Sequence, residues 1–324
     1  MAEWIVEQGI GEERAFRLSY DGIEELRLRW TDAGLQAGEI DDAILLEQPA
    51  QGGRAMVRFP SGQEALGRNI PRSASVGSSV RMEVTREPVA ERGRLKLAQA
   101  RHSTSDLAGA PSLADQLVRE GHEVDLTTIP SVQADWDALW LDAASRDVDF
   151  EGGKLLLAET PAMTLIDVDT TNPDPSPATR AIARTLRRFD LGGNIGIDYP
   201  TLSSKSDRKL VDEQLGMFLE DWLHERTAMN GFGFVQIIRR LQRPSLLQRI
   251  ARNRKEAAAR LLLRRAELLE GPGMIALYAQ APVLDYLSED WLNQLRRRTG
   301  RQIALRPDAG IAFDAPHAQM VPHE

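Results

Sequence analysis

Two apolar segments of the chain carry aspartates near their C-terminal ends. In Met163–Asp169 (MTLIDVD), the two-residue period of a β-strand places Asp167 and Asp169 on one face. In the segment NIGIDYP, which begins at Asn194, the same period places Asp198 on the face of Asn194. Open α/β sheets bind their ligands at the C-terminal ends of strands, so two or three of these aspartates are predicted to converge at one edge.

Converging carboxylates favour a hard metal ion. Because the chain has no cysteine and no histidine near these segments, the oxygen ligands select Mg²⁺ or Mn²⁺ over zinc. Mg²⁺ bound by one or two carboxylates keeps open positions for a phosphate, polarises a phosphoryl oxygen and supplies a hydroxide-like nucleophile. The pattern therefore predicts phosphodiester hydrolysis. The alternative is that these aspartates only end strands and enter turns, where aspartate is common.

No other motif in the sequence competes with the aspartates. The segment GIGEER, at Gly9–Arg14, lacks the third glycine of a dinucleotide-binding loop, and there is no P-loop or nucleophile elbow. The five histidines are isolated, and none has the spacing of metal ligands.

A predicted crossover helix separates the two aspartate segments. The segment TTNPDPSP contains three prolines and cannot continue the first strand. Ser176 is predicted to cap the helix, with Pro177 at its first position, and Asp190–Gly193 (DLGG) to end it. A strand, a helix and a second strand predict two parallel strands, adjacent in one sheet.

The first hundred residues have the pattern of a small antiparallel sheet or barrel. Their short alternating segments are Ala15–Leu18, Leu26–Trp30, Ala43–Leu46, Ala55–Phe59 and Val80–Val84. After a loop at Arg101–Pro111, Ser112 is predicted to begin a helix. The spacing of Trp136, Leu139 and Trp140 is typical of a buried helix face.

Composition and charge exclude several classes of protein. The 324 residues are 42% hydrophobic and 27% charged, which is the balance of a globular protein. Neither a membrane span nor a secretory signal is present, so a cytoplasmic location is expected. The net charge of -8 argues against nucleic-acid binding by bulk charge. However, Arg239–Arg265 contains ten basic residues and one acid, and its apolar spacing predicts a long helix with a basic exposed face. A solvated face without a partner is the alternative.

Three segments resemble the catalytic core of the RNase E/G family of bacterial endoribonucleases. They are MTLIDVDT from Met163, IARTLRRFDLGGNIGIDY from Ile182 and GFVQIIRRLQRPSL from Gly233. Glu3–Arg101, with VRFPSGQEAL and VGSSVRMEV, resembles the family's N-terminal strands and its inserted barrel. Met274–Val321, with APVLDYL and GRQIALRPDAGIAF, resembles its small C-terminal domain.

The resemblance implies a mixed α+β and α/β architecture. Residues 1–101 would form N-terminal strands plus an OB-type RNA-binding barrel, and residues 102–151 a spacer with helices. A DNase-I-like α/β catalytic core would follow at 152–247. A basic connecting helix (248–273) and a small α+β C-terminal domain (274–324) would complete the chain.

The resemblance also implies roles for individual residues. Asp167 and Asp198 take the positions of the two carboxylates that hold the catalytic Mg²⁺. Asp169 stands where the family has an asparagine, and it is expected to orient water or the metal. Glu159 matches an acidic position of the family and is expected to support these ligands.

RNA contacts are expected from Phe59 on the barrel and from the basic segment. The basic residues assigned to RNA are Arg239, Arg240, Arg243, Arg252, Arg254 and Lys255. Ala65 and Leu66 stand where further stacking aromatic residues would be expected, which leaves a thin aromatic surface on the barrel.

Two further departures from the family bear on assembly and substrate choice. The family's cysteine-containing zinc link should fall near Gln248–Lys255, so a chain without cysteine cannot form zinc-linked dimers, and its oligomeric state stays open. Ser103–Glu151 is too short for both a 5′-monophosphate sensor and the rest of an RNase H-like subdomain. One or both are therefore expected to be missing.

These features predict Mg²⁺-dependent cleavage of single-stranded RNA that leaves a 5′-phosphate on the downstream fragment. The alternative is a non-catalytic RNA-binding or assembly protein that has kept the fold. The reduced size, Asp169 and the few aromatic residues of the barrel favour this alternative. The retention of Asp167 and Asp198, at strand ends expected to be buried, favours the enzyme.

Overall fold

The computed structural model describes residues 3–20, 22–49, 53–91, 93–202 and 204–322. The predicted segments at the two ends of the chain, 1–101 and 274–324, therefore include a few residues outside the described ranges.

A sheet whose first three strands are antiparallel and a closed barrel form the N-terminal part. The sheet begins with β1 (Trp4–Gln8), β2 (Glu12–Ser19) and β3 (Gly22–Trp30), paired in sequence order. The next strands are β4 (Ile40–Leu45), β5 (Arg54–Arg58), β6 (Glu64–Arg68), β7 (Ser79–Arg86), β8 (Val89–Glu91), β9 (Arg94–Lys96) and β10 (Ala98–His102). The barrel closes in the order β10–β6–β5–β4–β7, and β8 and β9 form a separate hairpin. Every alternating segment predicted in this region overlaps a strand.

The barrel buries Phe59 in its own interior. This residue follows β5, is only 2% exposed, and belongs to the cluster that includes Leu45 and Val57. The expectation that Phe59 contacts RNA is wrong, because its ring faces the core and leaves no accessible surface for a base.

The segment predicted as a spacer is part of two sheets. It contains α1 (Leu113–Arg119), β11 (Val124–Thr127), α2 (Gln133–Ser145) and β12 (Asp147–Phe150). Strand β11 pairs in parallel with β1, whereas β12 pairs with the strand that follows it. The helices are confirmed, and Ser112 caps α1 by accepting a 3.0 Å hydrogen bond from the backbone N–H of Asp115. The description of this segment as a spacer is wrong.

A six-stranded mixed sheet forms the centre of the molecule. Its further elements are β13 (Gly153–Glu159), β14 (Thr164–Thr170), α3 (Ser176–Arg188), β15 (Gly193–Asp198), α4 (Lys205–Phe218), β16 (Glu225–Arg226) and β17 (Phe234–Arg239). The strand order is β12–β13–β14–β15–β17–β16. Strands β14 and β15 are parallel neighbours, as predicted. The predicted cap of α3 is displaced by one residue: Pro175 is the N-cap, and the backbone N–H of Ser176 donates to Asp174 Oδ1 at 2.9 Å.

One face of the central sheet is buried under α3. The alternating residues on this face are Leu155, Leu157, Ile166, Val168, Ile195, Ile197, Val235 and Ile237. They share one core with Ala178, Ile182 and Leu186 of α3, and with Trp136 and Trp140 of α2, confirming those tryptophans as core residues. The opposite face of the sheet is therefore free to carry polar residues.

The basic segment is not one long helix. It comprises the end of β17, a loop, α5 (Leu246–Arg252) and α6 (Arg254–Glu267), with a break at Asn253. The chain then continues through β18 (Met274–Ala279), α7 (Ala281–Leu284), α8 (Glu289–Thr299), β19 (Ile303–Pro307) and β20 (His317–Val321). These last strands form a sheet in the order β19–β18–β20, so the tail is an α+β unit as predicted.

Much of the positive charge in this segment lies inside the fold. Arg249, Arg260 and Arg264 are at most 2% exposed. Arg249 pairs with Glu87 at 3.1 Å, and Arg264 pairs with Glu7. The guanidinium of Arg260 lies 4.1 Å from the nearest aromatic ring centroid. Because buried cations need such partners, these arginines join α5 and α6 to the N-terminal sheet and barrel.

In the described part of the chain, no helix is both long and apolar enough to cross a membrane.

Candidate functional site

Asp167 and Asp198 are direct neighbours on the central sheet. They are register partners across the parallel pair β14 and β15. Partners in adjacent strands lie about 5 Å apart and point to the same face. The sequence predicted that both residues lie at one edge of the sheet, and the pairing shows that they are also directly opposite each other in adjacent strands.

Both carboxylates point away from the core. Asp167 alternates with the buried Ile166 and Val168, and Asp198 follows the buried Ile197. Both aspartates are exposed, so the expectation of buried carboxylates is wrong. Among the described residues, neither carboxylate forms an ion pair with a basic side chain. Two unpaired like charges in adjacent strands repel each other, and a bound cation would remove that repulsion.

Asp169 lies two residues further along the same face and is also exposed. Its cross-strand partner is Lys154 on β13, which is therefore on the same face. Lys154 makes no ion pair with any described acidic residue, so its ammonium is available to an anion. Sequence reasoning missed Lys154, although a four-residue connection from Thr160 to Met163 would have predicted this register.

The number of protein ligands is limited. In the ranges that the structure describes, no three acidic, cysteine or histidine side chains form a group that could hold a metal ion. Mg²⁺ is commonly bound by one or two carboxylates together with several waters and a substrate phosphate. Exposed Asp167 and Asp198 fit that mode of binding, and they do not fit a closed cage made only of protein ligands.

An aromatic side chain borders the carboxylate pair. Phe234 on β17 is the register partner of Asp198. A Cβ atom on Gly196 would lie 2.6 Å from Phe234 Cζ and 2.9 Å from Leu165 Cδ2, so these side chains cover Gly196 closely. Only glycine leaves room for the ring there. On the same face, Gln236 Nε2 donates to Asn194 Oδ1 at 2.8 Å and fixes the polar row beside the ring.

Glu159 does not support the carboxylates. It ends β13, pairs in register with Thr164, and lies on the buried face with Leu157. Asp167 points to the other face. Burial raises the pKa of Glu159, and Arg252, at 3.4 Å, opposes that shift. The expected role beside the metal ligands is therefore wrong, because strand alternation separates the two faces.

The six basic residues assigned to RNA do not share one exposed face. The exposed ones are Arg240, Arg254 and Lys255. Arg239 donates to Asp190 at 2.6 Å, Arg243 is buried beside the same carboxylate, and Arg252 pairs with Glu159. Burial would raise the pKa of Asp190, but Arg239 and Arg243 outweigh burial and hold it below its usual value. RNA contact remains a prediction for the three exposed residues.

A different basic cluster lies on the barrel, and sequence reasoning missed it. Arg54 on β5 is directly opposite Arg68 on β6, and both are exposed. Burial lowers the pKa of Arg86, and the nearby Arg54 and Arg68 lower it further. Neither Arg54 nor Arg68 pairs with an acidic group in the described ranges. Like charges directly opposite each other destabilise a sheet, so this cluster is suited to an anionic ligand. The outward alternation of RAMVR and EALGR could have indicated it.

Comparison with known proteins points to one family. Residues 134–242 match the model of the Ribonuclease E/G family. This segment contains α2 and the whole central sheet from β12 to β17, and with it Asp167 and Asp198.

Individual relatives agree with the family match. Ribonuclease G from Escherichia coli strain K12 is 34% identical over 120 residues, which cover 32% of this chain and 24% of the relative. Ribonuclease G from Shigella flexneri and from Salmonella typhimurium strain SL1344 match with the same identity and coverage. The match thus spans about a quarter of the length of these curated relatives. The part of the chain that forms the central sheet is therefore similar to the Ribonuclease E/G family.

Proposed function

We propose that the chain is a Mg²⁺-dependent endoribonuclease that cleaves single-stranded RNA and leaves a 5′-phosphate on the downstream fragment. One observation carries this proposal. Asp167 and Asp198 form an exposed, register-matched pair that has no basic partner among the described residues, and the pair lies inside the segment that matches the Ribonuclease E/G family. The DNase-I-like character of the core and the OB-type character of the barrel belong to the same proposal.

The residues present suit Mg²⁺. Asp167 and Asp198 would hold the ion through carboxylate oxygens on the open face of the sheet, where waters and a phosphate can complete its coordination. When bound, Mg²⁺ polarises a phosphoryl oxygen and lowers the pKa of water.

The chain's own groups would position the substrate. Lys154 would contact a phosphate oxygen next to the carboxylates, and Asp169 would accept a hydrogen bond from the attacking water. The side chain of Lys154 acts here as a point charge that stabilises the phosphorane-like negative charge. Half-buried Phe234 and the side-chain amides of Asn194 and Gln236 border this position.

The barrel would hold the RNA on its approach to the sheet. Arg94 of the β8–β9 hairpin donates to the carbonyl of Pro161, at the opposite end of β14 from Asp167, at 3.3 Å. Pro161 lies in the turn before β14, and Asp167 is the fourth residue of that strand, about 10 Å from its first residue. RNA bound at Arg54 and Arg68 would reach the carboxylates along the open face. Phosphate contacts of this kind set affinity and position more than sequence choice.

A second candidate function is non-catalytic RNA binding. It is favoured by Asp169, which stands where the family has asparagine, and by the small number of carboxylates at the site. This candidate shares the barrel contacts and differs only in the absence of cleavage. The predicted lack of a 5′-end sensor is compatible with both candidate functions and does not distinguish them.

Incubation of the purified chain with 3′-labelled single-stranded RNA, in Mg²⁺ or in EDTA, separates the two candidates. Cleavage should occur in Mg²⁺ only, and the labelled fragment should be joined by an RNA ligase that requires a 5′-phosphate. Asp198→Asn should abolish cleavage, whereas Asp147→Asn on the edge strand β12 should not. RNA binding without cleavage would establish the second candidate.

A further inference from the structure

Phe232 is an aromatic residue that the fold leaves in solvent. It lies in the turn before β17 and is 83% exposed. Large aromatic side chains gain most from burial, and this almost fully exposed ring is accessible to a partner outside the chain. The catalytic machinery proposed above does not use this ring.

The turn that carries Phe232 is rigidly built. The side-chain oxygen Oδ1 of Asn230 accepts hydrogen bonds from the backbone N–H groups of Phe232, at 2.9 Å, and Phe234, at 3.1 Å. The backbone N–H of Gly233 donates to the carbonyl of Asn230 at 3.2 Å. Such side-chain bonds to the backbone fix a turn in one conformation. The exposure of Phe232 is thus imposed by its backbone and does not reflect a loose loop.

The same turn is joined to the end of β15. The backbone N–H of Tyr199, the residue after Asp198, donates to the carbonyl of Gly233 at 3.1 Å. Gly233 has a φ of +89°, and a Cβ there would lie 2.6 Å from the carbonyl oxygen of Tyr199. Only glycine permits both this backbone conformation and this contact. Phe232 is therefore the residue before Gly233, whose backbone contacts the end of β15 that carries Asp198.

We propose that Phe232 stacks on a base of single-stranded RNA, and that this base adjoins the phosphate that lies beside Asp167 and Asp198. A base has an aromatic face whatever its identity, so a ring held beside the carboxylates would position the adjoining phosphate without reading sequence. Phe234, the register partner of Asp198, would line the inner side of the same subsite. This inference rests on the proposed function and assigns Phe232 a role in positioning the substrate.

The test combines variants of the protein with abasic RNA. Binding of a fluorescent single-stranded decamer is measured in EDTA, and single-turnover cleavage is measured in Mg²⁺. Phe232→Ala should weaken binding by at least about fivefold, and Phe232→Trp should restore it. Leu223→Ala is the matched control, because Leu223 is 90% exposed and precedes β16, which pairs with the opposite end of β17.

A series of decamers, each with one abasic position, identifies the stacked base. At one position the abasic change should weaken binding to the wild-type protein by about fivefold and leave Phe232→Ala unchanged. A ring that served only folding would not produce this cancellation. If every abasic position affected both proteins equally, the stacking role would be refuted. If the wild-type protein neither bound nor cleaved RNA, the proposed function itself would fail, and this is a separate result.

Discussion

Replacing Asp198 with asparagine should have opposite effects on stability with and without Mg²⁺. Asp167 and Asp198 are partners in adjacent strands, so their charges lie about 5 Å apart. Two unit charges at that distance repel by about 0.8 kcal/mol in water, and both side chains are exposed. Asp198→Asn should therefore raise the free energy of unfolding in EDTA by about 0.5–1 kcal/mol.

With Mg²⁺ present, the order should reverse. A ligand at ten times its dissociation constant stabilises the folded state by about 1.4 kcal/mol. The wild-type protein should gain this amount, and Asp198→Asn should gain little, because one of its two charged ligands is gone. Urea unfolding, with and without Mg²⁺, measures all four values.

The control for this experiment is Asp147→Asn. Asp147 is an exposed aspartate on the edge strand β12, and β13 separates it from Asp167. Its replacement should change the stability by the same small amount in both conditions. A lower stability of Asp198→Asn in EDTA, or an undiminished gain in Mg²⁺, would refute the reasoning that the two carboxylates form a repulsive pair awaiting a cation.

Three further predictions concern the neighbouring charges. Asp169→Asn should raise the Mg²⁺ concentration for half-maximal cleavage several-fold, since it removes a nearby carboxylate; an unchanged titration would count against a role for Asp169. Replacing Arg54 and Arg68 by serine should reduce the slope of log affinity for single-stranded RNA against log salt by about 1.4, and Arg297→Ser should leave that slope unchanged. Asp190→Asn should lower the free energy of unfolding at pH 7 by about 3 kcal/mol, because it leaves half-buried Arg239 and buried Arg243 without their partner. Since the folded pKa of Asp190 is depressed, the difference should shrink as the pH falls below about 4; a constant difference would contradict the assignment.

Strand alternation and crossover topology were predictable from the sequence. MTLIDVD and NIGIDYP are apolar at every second position, so the face of Asp167 and Asp198 followed from the two-residue period alone. The helix between the two segments made parallel pairing the expected arrangement. The offset between the strands was not predictable, because register depends on how both strands pack on α3. It is the offset that makes the two aspartates direct partners.

Charge was the least predictable property. Ten basic residues in Arg239–Arg265 suggested an exposed surface, yet Arg249, Arg260 and Arg264 are buried. Their acidic and aromatic partners come from the N-terminal sheet and the barrel, far away in sequence, so no local pattern reveals the pairing. The prediction for Phe59 was wrong for a related reason. A barrel strand has an inner and an outer face, and composition does not distinguish them.

We propose that Asp167 and Asp198 form the Mg²⁺ site for RNA cleavage. The most direct test of this proposal is single-turnover cleavage of labelled single-stranded RNA by the wild-type protein and Asp167→Asn across a Mg²⁺ titration, with RNA binding measured in parallel. We expect at least about a 100-fold loss of cleavage in the variant and RNA affinity within about twofold of the wild type. Cleavage by Asp167→Asn at the wild-type rate, or by the wild-type protein in EDTA, would contradict the proposal.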